Sequence, residues 1–110
     1  MASQSRDVVQ GTVDMLILKA CSLEPMHGWG ITQRIGQISG NVLQVNPGSL
    51  YPALERLQDR GWLAAEWGTT ENARKAKYYR LTAKGRKQLG EETATWRRMS
   101  AAVEAVLAMR

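Results

Sequence analysis

The 110-residue chain contains one cysteine, one histidine and three prolines. Cys21 has no partner for an internal disulfide, and the single His27 cannot build a multi-ligand zinc pattern with it, so no metal is expected. No Ser–His–Asp set and no paired carboxylates recur at a spacing that periodicity brings together, so no catalytic residues and no cofactor are expected. Apolar runs such as Met15 to Leu18 are far shorter than a bilayer span. The opening stretch Met1-Ala2-Ser3-Gln4-Ser5-Arg6-Asp7 lacks the apolar segment of a secretory signal. Internal repeats and low-complexity tracts are absent as well.

What is present is ordinary globular material. Hydrophobic residues make up 44% and charged residues 23% of the chain, which fits one folded domain of near-typical size. The charge is the informative quantity. Fifteen Lys and Arg against ten Asp and Glu give +5, with an isoelectric point near 9.8. Seven of the cations, Arg74, Lys75, Lys77, Arg80, Lys84, Arg86 and Lys87, fall between Asn72 and Gly90 without one acid among them. Eight cations and ten acids remain elsewhere, a balance of −2. A basic segment on a mildly acidic body reads as a surface for a polyanion, with a solvated charged face as the bland alternative.

Residues 1–10 are polar and read as a mobile arm. Thr12 is expected to cap a first helix carrying Val13, Leu16, Ile17, Ala20 and Cys21, stopped by Glu24-Pro25. A second helix starts near His27-Gly28, lines up Ile31, Ile35 and Ile38, and ends at Ser39-Gly40. Val42 to Val45 suggests one brief strand. Asn46-Pro47-Gly48-Ser49 is turn and cap chemistry. A third helix then carries Leu50, Leu54 and Leu57, its start placed near Gly48 or Ser49 because Pro52 lacks a backbone donor. Beyond Gly61 the period becomes two: Leu63, Ala65 and Trp67 share one strand face, and Lys77 to Leu81 forms a second strand. The linker between them is too long for a tight turn. Thr82 caps a final helix reaching to about Leu107, roughly 37 Å long at the usual rise.

Three helices, a hairpin and a further helix form a winged helix-turn-helix, a mainly α fold with a small β-hairpin. Residues 11–82 make the DNA-binding domain and 83–110 a C-terminal dimerisation helix. The third helix turns its leucines inward and leaves Ser49, Tyr51, Pro52, Glu55, Arg56 and Asp59 outside the stripe, where a major groove can receive them. Glu55 and Asp59 repel phosphate, so contact is expected at the N-terminal end and Arg56. That end also offers backbone N–H groups and the hydroxyls of Ser49 and Tyr51. Arg74, Lys75 and Lys77 place the hairpin as a wing on backbone or minor groove of double-stranded DNA.

Several blocks carry a family likeness: His27-Gly28-Trp29-Gly30-Ile31, Gly48-Ser49-Leu50-Tyr51-Pro52-Ala53-Leu54 with Leu57, Gly61-Trp62-Leu63, and Tyr79-Arg80-Leu81-Thr82 with Gly85. From about Gly11 to Gln88 the chain resembles the PadR family of bacterial transcriptional regulators. The resemblance implies a cytoplasmic, dimeric, DNA-binding repressor, with phosphate contacts from Ser49, Tyr51, Arg74, Lys75 and Lys77. Many family members carry a long multi-helix C-terminal domain. This chain looks like the short form that ends in a single helix, a departure that puts any long-form effector site in doubt.

On that last helix Leu89, Thr93, Trp96, Ser100, Val103 and Leu107 recur at spacings of four and three, with Met99 and Val106 in an adjoining row. Leu89, Trp96, Met99, Val103, Val106 and Leu107 are therefore the candidate homodimer interface, since an exposed apolar stripe is a liability on a monomer. A two-fold pair would present two third helices to successive major grooves of a palindrome. Folding back along the first helix is the monomeric alternative. Trp96 is also a candidate pocket for a small aromatic effector, as in short members that the chain resembles, or else a plain interface anchor. His27 is read as a helix cap rather than a phosphate ligand. Cys21 is read as a buried hydrophobe rather than a redox sensor. Trp62 and Trp67 are read as core and strand-pair residues rather than stacking platforms. The rival to DNA binding is a winged helix used for protein contact, which calls for an apolar patch where this sequence places charge.

Overall fold

The computed structural model describes the backbone of residues 2–110 and the side chains of residues 11–110. Four helices and three short strands follow in the order α1 (Ala2–Leu23), β1 (Met26–His27), α2 (Gly28–Ile38), α3 (Pro47–Asp59), β2 (Leu63–Thr69), β3 (Lys75–Leu81) and α4 (Ala83–Leu107). The strands form one antiparallel sheet in the order β1-β3-β2. This is the expected α+β winged-helix arrangement, with one strand more than the hairpin alone.

The core joins one face each of α1, α2, α3 and the sheet, with Leu89 of α4 packed at its edge. Val13, Ile17, Leu18, Ala20 and Cys21 come from α1, Ile31 and Ile35 from α2, and Leu50, Ala53, Leu54 and Leu57 from α3. Met26, Leu63, Tyr79 and Leu81 close it from the sheet. Burying a leucine-sized side chain contributes about 1.5–3 kcal/mol, so the α3 stripe alone fixes which way that helix faces.

Helix ends follow side-chain chemistry. His27 Nδ1 accepts from the Gly30 N–H at 3.1 Å and Thr82 Oγ1 from the Gly85 N–H at 2.9 Å, so the cap readings for both residues hold. At the end of α3, Gly61 adopts φ +77 while the Trp62 N–H reaches back to the Leu57 carbonyl. That left-handed exit suits glycine and satisfies an otherwise orphaned carbonyl.

Three expectations change. Helix α1 runs from Ala2, so Thr12 lies inside the helix instead of capping it, and the stretch read as an arm continues the helical backbone. No proline interrupts residues 2–23. Val42 to Val45 forms no strand. Gly40 and Asn41 both take positive φ, and the sheet edge that could receive a strand pairs with Met26 and His27 instead. Helix α3 starts at Pro47, one residue before the earliest expected position, because Asn46 caps it through its side chain on the Ser49 N–H. Pro52 then leaves the Gly48 carbonyl without its usual partner, at an exposed position where water can serve.

The first turn of α4 is set against the hairpin through Gly85. A Cβ built there would run into the Trp62 carbonyl oxygen and the Leu81 side chain, whereas one built on Gly90 meets nothing within 4 Å. Gly85→Ala should therefore cost several kcal/mol, about 2–4, because the obstacle is backbone. Gly90→Ala should be neutral or gain up to about 1 kcal/mol from helix propensity. Urea denaturation of the two variants checks this, and equal stabilities would contradict it.

Candidate nucleic-acid interface

An open cleft of about 1060 Å³ lies between the start of α2, the β1 strand and the outer half of the β2–β3 hairpin. Its walls include Tyr51 from α3, Trp29 from α2, Trp67 from β2, and Arg74, Lys75 and Lys77 from the wing. Four cations line it (Arg34 is the fourth) against two carboxylates, Glu24 and Glu71. Arg34 and Glu24 already pair with each other at 3.2 Å. Arg74, Lys75 and Lys77 are exposed and make no ion pair among the described residues, so their charge is available to an anion.

The wing is built by continuing the ladder past the core. Leu63 faces Leu81 and Ala65 faces Tyr79, then Trp67 faces Lys77 and Thr69 faces Lys75. Period-two alternation puts Trp67, Lys75 and Lys77 on the face that carries Leu63 and Leu81 inward. The alternation expected for Leu63, Ala65 and Trp67 is present, but the strand outruns the core. Trp67 is 66% exposed, which corrects its reading as a core residue, while Trp62 is half-buried against the core. The strands also extend further than expected, leaving a five-residue turn from Thr70 to Arg74. The Thr70 N–H donates to the Arg74 carbonyl at 2.8 Å, and Ala73 takes φ +59. On the opposite face the Tyr78 ring lies against Gly68, its hydroxyl donates to the Thr69 carbonyl at 3.3 Å, and the His27 ring meets it edge-on. The wing is thereby braced against the cap of α2.

Tyr51 packs against α2 and also stays open to the cleft. Gly28 has no side chain, and a Cβ there would come within 3.1 Å of the Tyr51 hydroxyl. The ring can therefore lie across the first turn of α2 while staying more than half exposed in the cleft. Pro52, Glu55 and Asp59 are exposed on α3 as expected, and Ser49 is half-buried at its N-terminal end. Free backbone donors there are scarcer than expected. Pro47 has none, and Asn46 takes the N–H groups of Ser49 and Leu50.

Arg56 already has a partner within the domain. Its guanidinium donates to the Asp14 carboxylate on α1 at 2.8 Å, in a half-buried pair. Arg56 thus ties α3 to α1 while its side chain stays 39% exposed. Nearby, burial chiefly pushes the Glu92 carboxyl of α4 up, with Asp14 adding to the rise; the Gln88 side-chain hydrogen bond and Arg60 oppose it. The basic stretch also divides. Arg74, Lys75 and Lys77 meet in the cleft, whereas Arg80 is exposed elsewhere on β3, and Lys84, Arg86 and Lys87 sit on α4.

The remaining candidates lie apart from the cleft. Leu89 packs against the domain's own core, so it anchors α4 and is not part of an exposed seam. Trp96, Met99, Val103, Val106 and Leu107 are exposed along the outer turns of α4. Trp96 lines no part of the cleft. Cys21 is buried, and burial pushes its thiol up to about 12, so it holds no reactive thiolate at neutral pH. Among the described residues no three His, Cys, Asp or Glu side chains gather where they could hold a metal ion, and no helix is long and apolar enough to cross a membrane.

Comparison with known proteins agrees with this geometry. The model of the transcriptional regulator PadR-like family matches residues 17–91. The chain is 33% identical over 87 residues to the transcriptional regulator Rv3488 of Mycobacterium tuberculosis, covering 79% of this chain and 78% of that one. A solved transcriptional regulator from Clostridium thermocellum superposes with a TM-score of 0.81 at 25% identity, over 90% of this chain and 96% of the other. A PadR-like transcriptional regulator from Bacillus cereus gives 0.79 at 27% identity, over 94% and 99%.

Proposed function

Since the chain belongs to the PadR-like family of transcriptional regulators, a family of DNA-binding and non-enzymatic proteins, we propose that it is a repressor that binds a palindromic operator as a homodimer in the cytoplasm. The observation that carries the DNA-contacting part of the reading is the shared cleft. Tyr51 of the recognition helix and Arg74, Lys75 and Lys77 of the wing line one basic groove, although they lie more than twenty residues apart in sequence. In this reading one DNA strand runs through that groove, α3 enters the major groove, and the wing follows backbone or minor groove. Ser49, Tyr51 and Pro52 form the contacting end of α3. Glu55 and Asp59 keep the far end of the helix away from phosphate.

The dimer reading rests on α4. Its first turns are anchored by Gly85 and Leu89, and α4 also packs against α1. Beyond those anchors Trp96, Met99, Val103 and Val106 remain 40% exposed or more. A second copy's helix laid on this stripe would cover it and would also supply a second wall beside Trp96. A planar aromatic effector at Trp96 needs that second wall, so any such pocket belongs to the dimer. A protein-docking winged helix is disfavoured because the wing groove carries unpaired cations.

Two measurements test these assignments. Replacing Arg74, Lys75 and Lys77 by alanine should reduce the log–log salt slope of duplex binding by up to about 2.7 units. The loss should be similar on selected and random duplexes, because phosphates carry no sequence information. An unchanged slope with altered sequence preference would mean that these cations read bases. For the dimer, light scattering across micromolar dilution should give twice the chain mass, and Val103→Glu with Val106→Glu should halve it and weaken binding to a palindrome. A wild-type monomer at every concentration would overturn the pairing.

A further inference from the structure

The cleft contains two side chains that the phosphate-contact account does not use. Trp29 and Trp67 are each 66% exposed, and both line it from separate elements, one in the first turn of α2 and one on β2. Neither contributes to the core. Two large, mostly uncovered indoles facing one groove on a small domain are a solubility liability unless a partner covers them. Their surroundings say which partner. Trp67 is paired across the ladder with Lys77, and Lys75 lies on the same face two residues further out. Trp29 follows Gly28, the residue over which the Tyr51 ring lies. Both indoles thus line the same cleft as the groups proposed above to contact a DNA strand. The net charge of the groove, with three cations unpaired, suits a polyanion better than an apolar protein surface.

Building on the DNA-binding reading, we propose that Trp29 and Trp67 grip the strand lying in the groove, packing their indole faces on its deoxyribose rings from either side. Each Nε1–H is the one polar atom of its side chain and a donor only, so it suits a phosphate oxygen. Tryptophan offers a large apolar face together with that single donor, which matches a sugar–phosphate strand, apolar on the sugar and anionic on the phosphate. The contact adds affinity without reading bases. It also adds no charge, which separates it from the contribution of the wing cations.

The experiment uses the full chain and a duplex selected by the wild-type protein from a random pool, with an unselected duplex as the second probe. Trp29→Ala and Trp67→Ala should each weaken binding to both duplexes about tenfold, the order expected when an aromatic anchor is truncated. The log–log salt slope should stay at the wild-type value, because no ionic contact is lost. Both residues are largely exposed, so thermal midpoints should remain close to wild type. As a second readout, a Trp62→Phe, Trp96→Phe variant leaves only Trp29 and Trp67 to emit, and its fluorescence should change on titration with duplex.

Variants that bind as the wild type does, or emission that ignores the duplex, overturn the tryptophan contact while leaving the DNA-binding reading intact. A fall in salt slope overturns it too, since the substitutions would then be acting by displacing the wing cations. A wild-type chain that binds neither duplex overturns the DNA-binding reading and this inference with it.

Discussion

The packing of the inner face of α3 onto α1 is the constraint on which the interface depends. Leu50, Ala53, Leu54 and Leu57 are all buried, and a helix with one stripe pinned has no freedom to choose what its other side displays. The half-buried Arg56–Asp14 pair fixes the same rotation from the flank. A pair like this is worth little as net stability, but losing one partner leaves the other poorly solvated. Its evident use is orientation. Once α3 is set, Tyr51 has one place to go, across Gly28 and into the groove.

The wing obeys a second, weaker constraint. Its outer half has no core beneath it, so its position depends on the ladder itself and on the contacts of Tyr78 with Gly68, Thr69 and His27. His27 therefore serves two elements. It caps α2 through Nδ1 and presents its ring to the hairpin. The two-residue strand β1 completes the link by pairing Met26 with Tyr79 and His27 with Tyr78. Helix α3, the α2 cap and the wing thus behave as one connected frame around the groove.

Much of that frame was legible in the residue pattern. The leucine spacing of α3, the glycine exits at Gly40 and Gly61, the Thr82 cap and the alternation along β2 each reflect a local rule that the fold does not override. What escaped the pattern depended on partners distant in sequence. Nothing local distinguishes Arg56 as an internal ion pair, because Asp14 lies forty-two residues earlier. A strand of two residues such as β1 has no periodicity to detect, and the apolar Val42 to Val45 stretch competed for the same role. Trp67 lies on the predicted face, but where the core ends along a strand is a tertiary fact. The Asn46 cap was visible as turn chemistry, yet its strength against the missing Pro52 donor decided the helix start. Tyr51 and the three wing cations, singled out by residue type, line one cleft, whereas only its exposure in that cleft singles out Trp29.

The central claim is that the groove between α2, the N-terminal end of α3 and the wing is the surface that meets DNA. Mapping backbone amide shifts by nuclear magnetic resonance during titration with a selected duplex tests this most directly. The largest changes are expected on residues 28–30, 48–51, 67 and 74–77, with the outer turns of α4 little affected. Changes concentrated on Trp96, Met99, Val103 and Val106, with the groove silent, would contradict it.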